Sequence, residues 1–95
     1  YRKVLEFTSI TNGSNNDAAI NAGGVIGTII RFWGLGYNTA GAYAWNIPHY
    51  DSSSSYGILA EAVGLTGDSP KIRIKPGSGR GLKTAVVVVE YTLEE

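Results

Sequence analysis

The chain has 95 residues, of which 43% are hydrophobic and 17% are charged, so its length suits one domain with a modest core. Eight basic and eight acidic residues give a formal net charge of zero, which excludes global electrostatic attraction to nucleic acid or to an anionic membrane. Without cysteine the chain has no disulfide and no thiol nucleophile, and without a long apolar run we expect no membrane insertion.

Apolar periodicity along the chain predicts six strands and almost no helix. These strands span residues 2–10, 25–33, 42–47, 58–63, 71–75 and 84–92. Leu5 and Phe7 should share one face of the first strand, and Ile72 and Ile74 should share one face of the fifth. Short strands at this spacing predict an all-β fold, a small antiparallel β-sandwich of about six to eight strands that spans residues 1–95 as a single domain.

Glycine, proline and polar residues predict the connections between these strands. Residues 11–24, TNGSNNDAAINAGG, are a polar segment long enough for a short helical turn or for a crossing between two sheets. Residues 34–41 and 48–57 are predicted loops, and TGDSP at 66–70 is a predicted turn. PGSGRG at 76–81 is predicted to form a hairpin with the last strand.

The last predicted strand, within TAVVVVEYTLEE, is apolar on both faces. Apolar and polar residues alternate in an antiparallel strand with one wet face, so four consecutive valines require cover on both sides. We expect the domain's own core to cover one face and a symmetry mate to cover the other, with Val86, Val87 and Val88 as candidate interface residues. A strand that lies centrally between packed layers is the alternative.

The residues that carry enzyme chemistry show no productive arrangement. The only histidine, His49, stands near Asp51 and several serines, but a catalytic triad needs a rigidly held nucleophile and HYDSSSS is a polar loop. The carboxylates show no spacing that selects a pair for glycoside hydrolysis, and one histidine offers no metal-ligand spacing. We therefore expect a protein that is not an enzyme and uses no metal or cofactor.

Aromatic residues concentrate in the segment 33–56, around two predicted loops. Exposed aromatic rings commonly anchor interfaces, and sugar rings stack on them in a similar way. We expect Trp33, Tyr43 and Trp45 to be core or subunit-interface residues. The candidate receptor or glycan contacts are Tyr37, Asn38, His49, Tyr50 and Tyr56.

Basic residues concentrate near the fifth strand, where Lys71, Arg73 and Lys75 occupy alternate positions and share one face. Such a stripe suits binding of acidic glycans or phosphorylated cell-wall polymers. The interpretation that we favour is an edge strand protected from aggregation by its charges.

Four segments carry a resemblance over essentially the whole chain: YRKV at 1–4, IPHY at 47–50, KIRI at 71–74 and VVVEYT at 87–92. In this order they resemble the C-terminal β-domain of tail-fibre and other structural proteins of tailed bacteriophages and prophages. Leu93 departs from the lysine that such domains often carry after the closing Tyr-Thr, and His49 in IPHY has no counterpart in the general pattern.

The resemblance implies a distal virion module, commonly trimeric, that follows a fibrous shaft and faces the host surface. The chain begins at Tyr1 and contains no methionine, so we expect a processed product or a piece of a longer protein, and the resemblance implies that it is the C-terminal tip of a longer fibre protein. The expected partners are two further copies of the chain, other virion fibre segments and a bacterial surface glycan or cell-wall polymer. The alternatives are a purely structural virion module that caps a shaft or drives trimer assembly, and a carbohydrate-binding module of a secreted hydrolase.

Overall fold

A computed structural model describes residues 1–38, 43–47, 57–65 and 69–94. These residues contain no helix, and therefore none that is long and apolar enough to cross a membrane. They form seven strands: β1 (Arg2–Phe7), β2 (Asn16–Ala19), β3 (Ile26–Asn38), β4 (Tyr43–Ile47), β5 (Ile58–Val63), β6 (Lys71–Pro76) and β7 (Leu82–Leu93). The all-β class predicted from the sequence is confirmed.

The strands form two antiparallel sheets that share one core. The four-stranded sheet has the order β1-β7-β3-β4, and the three-stranded sheet has the order β2-β6-β5. Leu5 and Phe7 of β1 are buried in the same cluster as Ile72 and Ile74 of β6, as the alternation in both strands predicts. Two sheets packed face to face through one apolar layer constitute a β-sandwich.

β3 is longer than predicted, because Gly34 and Gly36 continue the strand instead of opening a loop. Both glycines are buried and pair with Val87 and Ala85 of β7. A Cβ atom at Gly34 would lie 2.9 Å from the Val87 Cα and would overlap the Val86 carbonyl oxygen. These glycines therefore allow a close approach of two backbones, and the predicted loop at 34–41 is wrong for residues 34–38.

The polar segment after β1 crosses from one sheet to the other, which was one of its two predicted uses. It contains β2, an edge strand of the three-stranded sheet that the small and polar residues NDAA did not reveal. The side chain of Asn12 fixes the segment to β7, because its Nδ2 donates to the Leu82 carbonyl at 2.8 Å and its Oδ1 accepts from the Leu82 amide at 2.9 Å. This paired contact substitutes for a strand neighbour at the start of β7.

PGSGRG does not form the predicted hairpin. β6 belongs to the three-stranded sheet and β7 to the four-stranded sheet, so this segment carries the chain from one layer to the other. Gly81 has a φ of +71°, a conformation that glycine adopts without strain. A glycine-rich composition indicates a change of direction, which a hairpin and a crossing between sheets both require.

Candidate functional site

The candidate site is the face of the four-stranded sheet that points away from the core, called the outer face below. It is built by the residues that alternate with the buried ones on β1, β7 and β3. Directly paired residues on antiparallel strands share a face, so the strand register arranges the side chains in rows. These rows are Arg2, Glu90 and Arg31; Val4, Val88 and Trp33; and Glu6, Val86 and Leu35. A further pair, Thr84 and Tyr37, extends the face, and Asn46 of β4 lies beside Leu35.

The centre of the outer face is apolar and open to solvent. Val4 is 59% exposed, Leu35 is 40% exposed and Trp33 is 37% exposed. Val86 and Val88 are half-buried between these neighbours, whereas Val87 points into the core and has no exposed surface. The expectation that β7 is apolar on both faces is thus explained, but the assignment of Val87 to an oligomer interface is wrong because the domain's own core encloses it.

A charged row lies along one end of the outer face. Arg2 Nη2 donates to Glu90 Oε2 at 2.7 Å, and Arg31 Nε donates to Glu90 Oε1 at 2.5 Å. The hydrogen bond from Arg31 is the largest cause that holds the pKa of Glu90 below its ordinary value, and the hydrogen bond from Arg2 is the next largest. Two arginines around one carboxylate leave this row with one net positive charge.

Trp33 joins the charged row to the apolar centre. The Arg31 Cζ lies 4.8 Å from the centroid of the Trp33 ring, and the Arg2 Cζ lies 5.8 Å from it, both within the range of cation-π attraction. Beside Trp33 a groove of about 530 Å³ runs over Val88 and Val86 towards Tyr37 and Asn46. Trp33 is not a core residue, because its side chain is exposed, and its assignment to a subunit interface stays a prediction.

Two of the predicted receptor contacts, Tyr37 and Asn38, lie at the end of β3 and not in a loop. Tyr37 is half-buried on the outer face and lines the groove. The other three, His49, Tyr50 and Tyr56, lie outside the described residues, as does Pro48. The side chains of Tyr43 and Trp45 are likewise outside the described part. The structure therefore brings Tyr37 together with Trp33 and leaves the grouping of the remaining candidates as a prediction.

The predicted basic stripe is largely neutralised by acidic neighbours. Arg73 Nε donates to Asp17 Oδ1 at 2.8 Å, and Lys71 Nζ lies 3.7 Å from Asp17 Oδ2. The hydrogen bond from Arg73 lowers the pKa of Asp17, and the charge of Lys71 adds to this effect. Glu61 of β5 faces Arg73 from the other side. Lys75 is exposed, and it forms no ion pair with any residue that the structure describes.

The edge-strand interpretation of the basic stripe is wrong. β6 lies between β2 and β5 and is the central strand of the three-stranded sheet. Its charges therefore do not protect an edge. They form cross-strand pairs on a solvent-facing sheet surface, where opposite charges on neighbouring strands stabilise the pairing modestly.

The described ranges contain no group of three or more His, Asp or Glu side chains that could hold a metal ion. What the outer face offers chemically is apolar contact area with an aromatic ring, flanked by charges of both signs. This combination suits the docking of another molecule.

Sequence reasoning missed most of the residues of the outer face. Val4, Leu35 and the pair of arginines around Glu90 were not singled out. One signal was present, since WGLGY at 33–37 alternates large apolar residues with glycine at the period of a strand. The glycines suggested a loop and concealed this period.

Comparisons of the chain with protein-family models, with curated proteins and with solved structures found no match.

Proposed function

We propose that the chain is the tip domain of a bacteriophage virion fibre, exposed to the extracellular medium, which binds a carbohydrate or cell-wall polymer on the bacterial surface and catalyses no reaction. The resemblance of four segments to such domains supports this proposal. All four overlap strands of the sandwich: YRKV overlaps β1, the Ile47 of IPHY ends β4, KIRI opens β6 and VVVEYT lies within β7. The resemblance also implies a homotrimer.

The observation that carries the proposal is the outer face. A small domain that exposes an aromatic ring and several aliphatic side chains on one continuous sheet surface presents an interaction surface, because monomeric proteins rarely leave such patches uncovered. A binding or assembly role accounts for this surface directly.

The receptor site that we propose is built around the end of β3. Tyr37 and Asn38 end β3 there, and the chain beyond them carries His49, Tyr50 and Tyr56. Tyrosine, histidine and asparagine side chains offer both a flat apolar surface and hydrogen-bonding groups, which a sugar ring requires.

A second candidate is a structural virion module that assembles or caps a fibre and binds no receptor. The composition of the outer face favours it, because Val4, Val88 and Leu35 offer contact area but no hydrogen bonds. Aliphatic surface of this kind is typical of contacts between protein subunits.

Binding of the fluorescently labelled domain to a panel of bacterial cells tests the first candidate. We expect the variants Tyr50→Ala and Tyr56→Ala to lose binding, and Tyr37→Ala to weaken it. Tyr1→Ala is a matched control, because Tyr1 is 76% exposed and lies outside the proposed site. Binding by the unaltered domain that all three variants retain would refute the site, and no binding to any strain would favour the structural module.

A further inference from the structure

We infer that the outer face binds the outer face of a second copy of this chain, with the strands of the two copies antiparallel about a twofold axis. The inference concerns an interface and does not rest on the receptor site or on the fibre assignment. It follows from the order of the three rows on the outer face: a charged row, an apolar row and an acidic row.

The apolar row lies in the middle and requires a cover. Val4, Val88 and Trp33 run across β1, β7 and β3, and the first and last of them are 59% and 37% exposed. The central row offers a partner aliphatic surface and part of an indole ring. A carbohydrate would find few hydrogen-bonding groups there, whereas a second apolar sheet face would be complementary.

The charges on either side of this row select a copy of the chain as the partner. The charged row of Arg2, Glu90 and Arg31 has a net charge of +1, and the acidic row has a charge of −1 from Glu6. Glu6 is exposed and forms no ion pair with any described residue. A twofold axis along the central row places the charged row of one copy against the acidic row of the other.

The same operation brings each strand opposite its own counterpart, so Arg2 of one copy meets the partner's Glu6. The reciprocal contact forms at the same time, because a twofold interface repeats every contact. A threefold axis parallel to the strands would instead keep residues of equal height together. It would bring Arg2 of one copy towards the partner's Arg31, which places like charges side by side.

The size of the face is sufficient for a weak specific contact. Three strands about 4.8 Å apart and three rows about 6.8 Å apart span roughly 300 Å². Two copies would therefore bury about 600 Å² in total, which is the size of a weak, transient contact. We therefore expect a weak dimer whose population rises with protein concentration from the upper micromolar into the millimolar range.

Light scattering coupled to size-exclusion chromatography, over a series of concentrations, tests this inference. The expected mass is that of two chains, or of six chains if the domain also forms a trimer through another surface. A mass of one chain at every concentration, or of three chains, would overturn the inference. Cell binding is a separate measurement, so a failed dimer and a failed receptor site are distinguishable.

Two sets of variants locate the contact. Val4→Lys should raise the dissociation constant at least about tenfold, because it places a charge in the central row. The matched control Leu59→Lys changes a side chain that is 43% exposed on β5 of the other sheet and should leave the dissociation constant unchanged. Thermal melting checks that both variants fold. We expect both to fold, because the side chains at both positions are exposed.

A charge exchange tests the antiparallel arrangement. Glu6→Arg should dissociate the dimer, since it places an arginine opposite the partner's Arg2. The double variant Glu6→Arg with Arg2→Glu should restore association, because the pair is re-formed with its charges exchanged. Failure of the double variant to recover association, or indifference of the dimer to Glu6→Arg, would contradict the proposed pairing.

Discussion

Replacing Gly34 by alanine should destabilise the domain more than any other single methyl group added to a glycine of β3. The added Cβ would overlap the Val86 carbonyl oxygen and would lie 2.9 Å from the Val87 Cα and 3.0 Å from the Val86 carbonyl carbon. All three atoms belong to the backbone of β7, so no side chain can rotate away to make room. The strands β3 and β7 would have to separate, which weakens the central pairing of the four-stranded sheet.

The magnitude follows from this geometry. Overpacking of a well-filled core costs about 1–3 kcal/mol, and the loss of strand hydrogen bonds adds to it, so we expect a loss of about 3 kcal/mol or more. A domain of this length has a total stability on the order of 5–14 kcal/mol. A loss of about 3 kcal/mol would lower the melting temperature by roughly 12–24 °C.

Thermal and chemical denaturation followed by circular dichroism measure the effect. Gly24→Ala is the matched control, because a Cβ there would meet only the Leu93 methyl groups at 3.7 and 3.8 Å and the φ angle is not positive. This control should be neutral or slightly stabilising, since alanine restricts the unfolded chain. If Gly34→Ala were within about 0.5 kcal/mol of the control, the close approach of β3 and β7 would not constrain this position.

Two further predictions concern polar contacts. Asn12→Ala should lower the free energy of unfolding by about 1–3 kcal/mol, because the partly buried amide and carbonyl of Leu82 lose their hydrogen bonds with the Asn12 side chain. Urea denaturation measures this loss. The control is Asn15→Ala, at an exposed neighbouring position. Acid should destabilise the domain, because the pKa values of Glu90 and Asp17 are lower in the folded than in the unfolded chain. The two carboxylates therefore stabilise the fold fully at a pH above their unfolded pKa values. This stabilisation is lost as the pH falls through their folded pKa values. The urea midpoint should therefore fall between about pH 5 and about pH 2, and the double variant Glu90→Gln with Asp17→Asn should flatten this dependence; an equal slope in the variant would contradict the assignment.

Much of the fold could be predicted from the sequence because alternation reports burial directly. Leu5 with Phe7, and Ile72 with Ile74, point into the core as their spacing indicates. The runs at 58–63 and 71–75 are β-strands for the same reason, and β5 has the predicted bounds. Local alternation is sufficient wherever one face of a strand is buried and the other is wet.

The remaining features depend on contacts between residues that are distant in the chain. The residues of PGSGRG do not indicate whether the next strand pairs with β6 or joins the other sheet. In the structure β7 joins the other sheet. Gly34 and Gly36 suggested a loop because the reason for them lies on β7, about fifty residues away in the chain. The outer face could be predicted from the sequence only in part, because Arg2, Trp33 and Glu90 lie on three separate strands and come together only through the strand register.

The position of β7 between β1 and β3 has a consequence for the order of folding. Among the described strands β1 pairs only with β7, in a register that joins Arg2 to Glu90, so β1 cannot pair until β7, which is synthesised later, is available. During translation the four-stranded sheet cannot close until the valine-rich strand has left the ribosome. We therefore expect slow folding dominated by distant contacts, with β1 and the apolar side of β3 exposed to chaperones or to neighbouring nascent chains until that moment.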